Sequence, residues 1–158
     1  MQTSEVLSPA AAERVPRDAA CLGAAGLIPF AVGSVALWIA PIEHVALAAR
    51  LLIGYAAIIL SFMGAVHWGL AMAASADPTR WFTFSVSSAL LGWCALLLSP
   101  PTAMALLSFG FVVIYLVDCA AIAAGRAPQW YRRLRTPLSG AVLVLLLNAG
   151  VAVSTRLR

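Results

Sequence analysis

Residues 81–117 read WFTFSVSSALLGWCALLLSPPTAMALLSFGFVVIYLV and contain no charged side chain. The segment is interrupted at Pro100 and Pro101, and a proline lacks the N–H group that a helix interior requires. A hydrocarbon core about 30 Å thick is crossed by roughly 20 apolar helical residues. The segment therefore predicts two membrane-spanning helices joined by a turn at the prolines.

Charged residues on either side of this segment delimit three further apolar intervals, at residues 19–42, 51–76 and 136–155. Each interval is long enough to cross a bilayer. The last of them begins near Pro137, and proline is favourable in the first turn of a helix. The five predicted spans are approximately residues 20–40, 46–74, 81–98, 103–124 and 137–155.

The sequence thus predicts an all-α polytopic membrane protein with one five-helix transmembrane domain over residues 19–155. Residues 1–18 are expected to form a mobile N-terminal tail, and residues 156–158 a short C-terminal tail. The composition agrees with this class, since 63% of residues are hydrophobic, 10% are charged and the mean hydropathy is +0.96. About a quarter of the residues of a typical soluble domain are charged, so a water-soluble globule is excluded.

The basic residues are all arginines, and their placement predicts the orientation of the spans. Loops on the cytoplasmic side of a membrane carry an excess of Lys and Arg. Seven arginines fall on the side of the N-terminal tail: Arg14, Arg17, Arg80, Arg126, Arg132, Arg133 and Arg135. Three fall on the other side: Arg50, Arg156 and Arg158. We therefore expect a bacterial inner-membrane protein with a cytoplasmic N-terminus and a periplasmic C-terminus.

Few residues in the chain are suited to binding metals, cofactors or nucleic acid. The three cysteines fall in three different predicted spans, without a C-x-x-C pair. The two histidines, His44 and His67, are expected on opposite sides of the membrane and so cannot share a haem iron within one chain. A net charge of +4 spread over spans and loops does not form a nucleic-acid surface. The sequence predicts no metal, no cofactor and no nucleic-acid partner.

Asp118 is an acidic residue that span length forces into the membrane. The fifteen residues 103–117 supply only about 22 Å of helix, which does not cross the hydrocarbon core. The helix must therefore continue through Asp118, which then lies about 12 Å from Arg126 along the axis. A similar count puts His67 about 15 Å from Asp77. The two side chains are expected in the same leaflet, where they can meet if their helices are neighbours.

A buried carboxylate requires a partner. That partner is His67, an arginine reaching up from the inner loops, or a proton that keeps the acid neutral. Tyr115 lies one turn before Asp118 and Trp68 directly follows His67, so both are possible supporting residues. Three interpretations stay open: a hydrogen bond that fixes helix register, a site that handles protons or binds a head group, or no contact at all.

Residues 125–135 (GRAPQWYRRLR) join the fourth and fifth spans and concentrate four arginines. If the segment is helical from Pro128, Trp130 and Leu134 lie one turn apart with arginines on either side, which is typical of a short interfacial helix. Arginines near a membrane surface attract anionic phospholipid head groups. The candidate lipid contacts are Arg126, Arg132, Arg133 and Arg135, with a plain positive-inside anchor as the alternative.

Three segments carry a resemblance to a known family: residues 21–30 (CLGAAGLIPF), residues 54–69 (GYAAIILSFMGAVHWG) and residues 128–131 (PQWY) with Leu134 and Arg135. Together they resemble an uncharacterised domain-of-unknown-function family of small bacterial inner-membrane proteins related to eukaryotic transmembrane protein 69. The similarity covers about residues 20–150. It implies a five-helix integral membrane protein and no particular activity.

These observations favour a non-enzymatic accessory or assembly factor of a membrane complex, whose partners are the lipid bilayer and other membrane subunits. The alternatives are a small proton-linked carrier and a membrane enzyme acting on a lipid or quinone, each using His67 and Asp118. A carrier or an enzyme requires a cavity that reaches both side chains.

Overall fold

The computed structural model describes residues 14–73 and 79–157. Most of the expected mobile tail, together with Asp77 and Arg158, lies outside the described residues. The described part of the chain contains no strand and forms six helices. In chain order they are α1 (Arg17–Ala25), α2 (Ile28–Ile39), α3 (Ile42–Ala73), α4 (Thr79–Leu96), α5 (Pro100–Ala123) and α6 (Gln129–Arg156).

Four helical segments are long and apolar enough to cross a membrane: Arg17–Ile39, Ile42–Ala73, Pro100–Ala123 and Gln129–Arg156. The chain is therefore an all-α multi-pass membrane protein, as the sequence predicts. Helix α4 is not among the four. Its 18 residues include Arg80 and five serines or threonines, which lower its apolarity.

The first span is divided at residues 26–27, where α1 ends and α2 begins. Pro29 lies in the first turn of α2 and has no N–H to donate back to Ala25. The Tyr55 hydroxyl of α3 donates to the Gly26 carbonyl over 2.9 Å. A proline and a hydrogen bond from the neighbouring helix thus account for the break.

Helices α3 and α4 form a close antiparallel pair through small residues. A Cβ atom built on Gly64 would lie 2.6 Å from Cβ of Ser88 and 3.1 Å from the Ser85 carbonyl oxygen. Farther along, a Cβ on Gly92 would lie 3.0 Å from the Ala57 carbonyl oxygen. Membrane helices use small residues for such approaches, and this one sets the position of α4 beside α3.

A five-residue connection, residues 124–128, joins α5 to α6. Helix α5 ends in a Schellman motif, in which Arg126 N–H donates to the Ala121 carbonyl and Gly125 N–H to the Ile122 carbonyl. Gly125 has a φ of 70°, a conformation that favours glycine. This tight turn folds α6 back along α5.

The structure contains no separate interfacial helix in residues 129–135, and this part of the prediction is wrong. Helix α6 begins at Gln129 and continues without interruption through Pro137 to Arg156. Two contacts just before the proline hold the early turns against α5: Arg135 pairs with Asp118, and Thr136 hydrogen-bonds Tyr115 over 3.0 Å. Tertiary contacts therefore outweigh the local cost of a proline inside the helix.

Helix α6 also packs beside α2 and runs in the same direction. The Asn148 amide donates to Ser34 Oγ over 2.8 Å, and Ser34 in turn donates to the Leu145 carbonyl. Arg156 donates to the carbonyls of Leu37 and Trp38 at the end of α2. The two helices are thus joined by polar contacts along their length.

Candidate functional site

A buried charge cluster, His67, Asp118 and Arg135, lies near one end of the bundle. By helical rise, His67 is about 9 Å before the end of α3, Asp118 about 8 Å before the end of α5 and Arg135 about 9 Å after the start of α6. The side chains of these residues therefore meet at one depth. Their exposed fractions are 0%, 1% and 6%.

Asp118 lies between the other two members of the cluster. Its Oδ2 accepts a hydrogen bond from Arg135 Nε over 2.6 Å, a short charge-assisted contact. Its Oδ1 lies 3.0 Å from His67 Nε2. The His67 contact is close but not aligned as a hydrogen bond, since neither ring nitrogen has a partner of good geometry among the described residues. Arg135 is therefore the principal counter-ion of Asp118.

Aromatic rings of α4 enclose His67. The Trp81 ring stacks on the imidazole with centroids 5.5 Å apart and planes 13° apart. The Phe84 ring meets it edge to face at 5.1 Å. The guanidinium groups of Arg80 and Arg126 lie 5.0 and 4.9 Å from the Trp81 ring centroid, within the range of cation–π attraction. These contacts hold the imidazole beside Asp118.

A second feature, which we call the lateral cleft, opens beside the cluster between α1, α3 and α6. Its volume is about 380 Å³ and its lining is mostly apolar. Residues from the three helices contribute, among them Leu22, Phe62, Met63, Leu134, Leu138 and Val142. The half-exposed or exposed side chains at its rim, such as Leu22 and Phe62, place its opening on the lipid-facing surface.

Arg135 connects the cluster to the lateral cleft. Its Nη1 donates to Met63 Sδ over 2.8 Å, and both residues line the cleft. His67 and Asp118 are absent from the lining. A molecule in the cleft would therefore reach the guanidinium group but neither the imidazole nor the carboxylate.

The remaining predicted site residues lie in several places. The structure brings His67 and Asp118 together, but neither proposed supporting residue contacts them in the described part of the chain. The Tyr115 hydroxyl bonds Thr136, and Trp68 packs edge to face on Phe82 at 4.6 Å on the outer surface. His67 and Asp118 point into the cluster. Trp68 and Tyr115 occupy other positions around the helical turn, so their side chains point elsewhere.

The four arginines expected to contact lipid head groups divide into two sets. Arg132 and Arg133 are exposed at the start of α6. Arg126 lies against Trp81, and Arg135 is buried against Asp118. Arg135 lies deeper than the sequence predicts, because α6 starts eight residues before Pro137 and carries Arg135 nearly two turns into the bundle, and its contact with lipid stays a prediction.

Sequence reasoning missed several groups around the cluster and the cleft: Met63, Trp81, Phe84, Tyr131 and Ser139. Tyr131, Arg135 and Ser139 recur at intervals of four residues, which places them on one helical face once α6 is known to begin at Gln129. The contacts of Trp81 and Phe84 with His67 depend on the α3–α4 pairing. No short-range pattern in the sequence indicates them.

The cysteines and acidic residues are not arranged as a metal site. In residues 14–73 and 79–157, no three His, Cys, Asp or Glu side chains are close enough to hold an ion. Cys21, Cys94 and Cys119 are free thiols.

Comparisons with known proteins agree with the resemblance seen in the sequence. The chain is 31% identical over 132 residues to transmembrane protein 69 of Xenopus tropicalis, a match that covers 78% of this chain and 50% of the relative. The chain thus spans about half the length of the curated relative it matches. No solved structure matches it. A family model described as a protein of unknown function (DUF3429) matches residues 15–151, and the chain belongs to that family.

Proposed function

We propose that this chain is a non-enzymatic accessory or assembly protein of the bacterial inner membrane, and that it holds an amphiphilic membrane molecule in the lateral cleft. One observation carries this proposal: the cleft is bounded by Arg135 but does not extend to His67 or Asp118. A molecule bound there meets a cation and apolar walls. It meets neither the imidazole nor the carboxylate of the cluster.

The two site-based alternatives, a proton-linked carrier and an enzyme acting on a lipid or quinone, receive less support. Each requires access to His67 and Asp118, which are 0% and 1% exposed. The carboxylate already has the Arg135 guanidinium as its counter-ion at 2.6 Å. Within this proposal the cluster has a structural role, because its side chains join α3, α5 and α6.

The proposed topology has five spans, with α4 as the third and with the N-terminus in the cytoplasm. Helix α4 is about 27 Å long by helical rise, which is close to the hydrocarbon thickness. It runs antiparallel to α3 and so continues the alternation of directions. Arg80, Arg126, Arg132 and Arg133 then lie at one end of the bundle, as positive-inside placement requires.

Occupancy of the lateral cleft is testable by photo-cross-linking in membranes. A phospholipid with a photoreactive group on one acyl chain is expected to label residues that line the cleft in the wild-type protein. Leu138→Trp places a larger ring in the middle of the cleft and is expected to reduce this labelling to background. Leu90→Trp is the matched control, because Leu90 is exposed on α4 and lies outside the cleft. Labelling spread evenly over the lipid-facing surface of the wild type would contradict the proposal.

The accessory role predicts a stable partner. Affinity purification of the tagged chain in a mild detergent is expected to retain a larger membrane complex at constant stoichiometry. A chain that elutes alone across a series of mild detergents, and that supports transport or turnover once reconstituted, would instead favour a carrier or an enzyme.

A further inference from the structure

The lateral cleft contains a polar patch made of three side chains of α6. These are Tyr131, Arg135 and Ser139, and all three line the cleft. The Tyr131 hydroxyl, Arg135 Nη2 and Ser139 Oγ are buried and have no hydrogen-bond partner in the described part of the chain. Arg135 and Ser139 are 6% and 4% exposed, so these groups have lost water without gaining a protein partner.

Helical spacing gathers the three groups along one line. They recur every four residues, so they lie on one face of α6 over about 12 Å. The Arg135 guanidinium lies 6.0 Å from the Tyr131 ring centroid, which keeps the two side chains together. Each of the three side chains offers an N–H or O–H donor, and among the described residues the Arg135 guanidinium keeps Nη2 unpartnered while its Nε donates to Asp118. The patch is therefore suited to a ligand with several acceptor oxygens.

The depth of the polar patch indicates which part of a lipid it meets. Arg135 directly precedes residues 136–155, an uncharged stretch of twenty residues that ends at Arg156. At the helical rise this stretch is about 30 Å long, which equals the hydrocarbon thickness. Arg135 thus lies at the edge of the hydrocarbon core, at the depth it shares with Asp118 and within reach of lipid head-group oxygens.

The apolar part of the cleft continues from the patch toward the bilayer centre. Val142 lies about 10 Å deeper than Arg135 along α6, and Phe30 and Phe111 line the same region. A volume of about 380 Å³ falls within the usual range for small-ligand sites. The cleft therefore offers a charged end at head-group depth and an apolar end at acyl-chain depth.

We propose that the polar patch binds the head group of an anionic phospholipid, with its phosphate oxygens on Arg135, Ser139 and Tyr131 and one acyl chain along the cleft. This inference rests on the proposed occupancy of the cleft and names its ligand. Asp118 offsets the charge of Arg135, so selection of an anionic lipid rests on Arg126 and Arg132, which lie at the same end of the bundle. Guanidinium groups bind phosphate through paired N–H donors.

Native mass spectrometry of the full chain tests this inference. The protein is equilibrated in micelles that contain equal amounts of phosphatidylglycerol and phosphatidylcholine with the same acyl chains. The wild type is expected to retain phosphatidylglycerol preferentially. The variant Tyr131→Phe/Ser139→Ala removes two donors but leaves the Arg135–Asp118 pair, and its retention of phosphatidylglycerol is expected to fall about tenfold. Ser87→Ala, at an exposed serine of α4, is expected to behave as the wild type.

Each result has a distinct meaning. Equal retention of the two lipids by the wild type, or undiminished retention of phosphatidylglycerol by the double variant, would overturn the head-group assignment. Retention of a neutral quinone in place of phospholipid would overturn it as well. If Leu138→Trp expels both lipids while the double variant retains as much phosphatidylglycerol as the wild type, the cleft is occupied but the patch does not bind the head group. If Leu138→Trp expels neither lipid, the proposed occupancy of the cleft is wrong. If the lipid-free double variant has a lower melting temperature than the lipid-free wild type, Ser139→Ala alone is used for the binding comparison.

Discussion

Asp118→Ala is expected to lower the free energy of unfolding by about 3–5 kcal/mol, because it leaves the Arg135 guanidinium buried without its counter-ion. The same change removes the carboxylate that lies 3.0 Å from His67 Nε2. Thermal unfolding of the purified chain in mild detergent, followed by circular dichroism, measures the loss. Asp18→Ala is the matched control, since Asp18 is exposed on α1 and its removal is expected to leave the melting temperature unchanged.

A double variant distinguishes the interaction between Asp118 and Arg135 from the contribution of each residue alone. Arg135→Met alone leaves the Asp118 carboxylate buried without its counter-ion and is also expected to destabilise the fold. Asp118→Leu/Arg135→Met replaces both charges with apolar side chains of similar size, and buried ion pairs replaced in this way are often no less stable than before. We therefore expect the double variant to melt well above the value that the two single losses would give by addition. Additive losses would show that the two side chains act independently.

The fold and two of the three members of the charge cluster follow from counting along the chain. Charges terminate the apolar intervals, so their positions predict where helices cross the membrane. The same count puts Asp118 inside the bilayer, because residues 103–117 are too short to cross it. His67 falls at a similar depth, and the structure brings the two side chains together. Depth is predictable because it depends only on helical rise and bilayer thickness.

The counter-ion could not be predicted in the same way. Pro137 is favourable in the first turn of a helix, so local rules start the last span there and leave Arg135 in a loop. In the structure α6 starts at Gln129, because the Schellman turn at Gly125 and the Asp118–Arg135 pair hold its first turns against α5. These contacts join separate helices, and a single sequence does not display them.

The lateral cleft could not be predicted from the sequence either. Residues on both sides of the break between α1 and α2 line it, and at that break Pro29 and the Tyr55 hydrogen bond interrupt the helix. Side chains from three helices then surround a space that α1 covers only in part. A proline in the sequence indicates a bend but not its direction, which is set by the helices that pack around it.

Gly64→Ala is expected to destabilise the protein by about 1–3 kcal/mol, although the same substitution in most helices is stabilising. The added methyl group would lie 2.6 Å from Cβ of Ser88 and 3.1 Å from a carbonyl oxygen of α4, so α3 and α4 must separate. The contact lies one turn from His67. Separation of α3 from α4 would therefore also weaken the stacking of Trp81 on the imidazole.

Gly69 provides the matched control on the same helix. A Cβ atom at Gly69 meets nothing within 4 Å, so Gly69→Ala changes helix propensity without changing packing. It is expected to raise stability by about 0.5–1 kcal/mol in the same thermal unfolding assay. The two substitutions should therefore shift the melting temperature in opposite directions, because only Gly64 lies in the α3–α4 contact. Equal shifts of the same sign would mean that the helices do not approach each other at Gly64, and the position of Trp81 over His67 would then lose its structural basis.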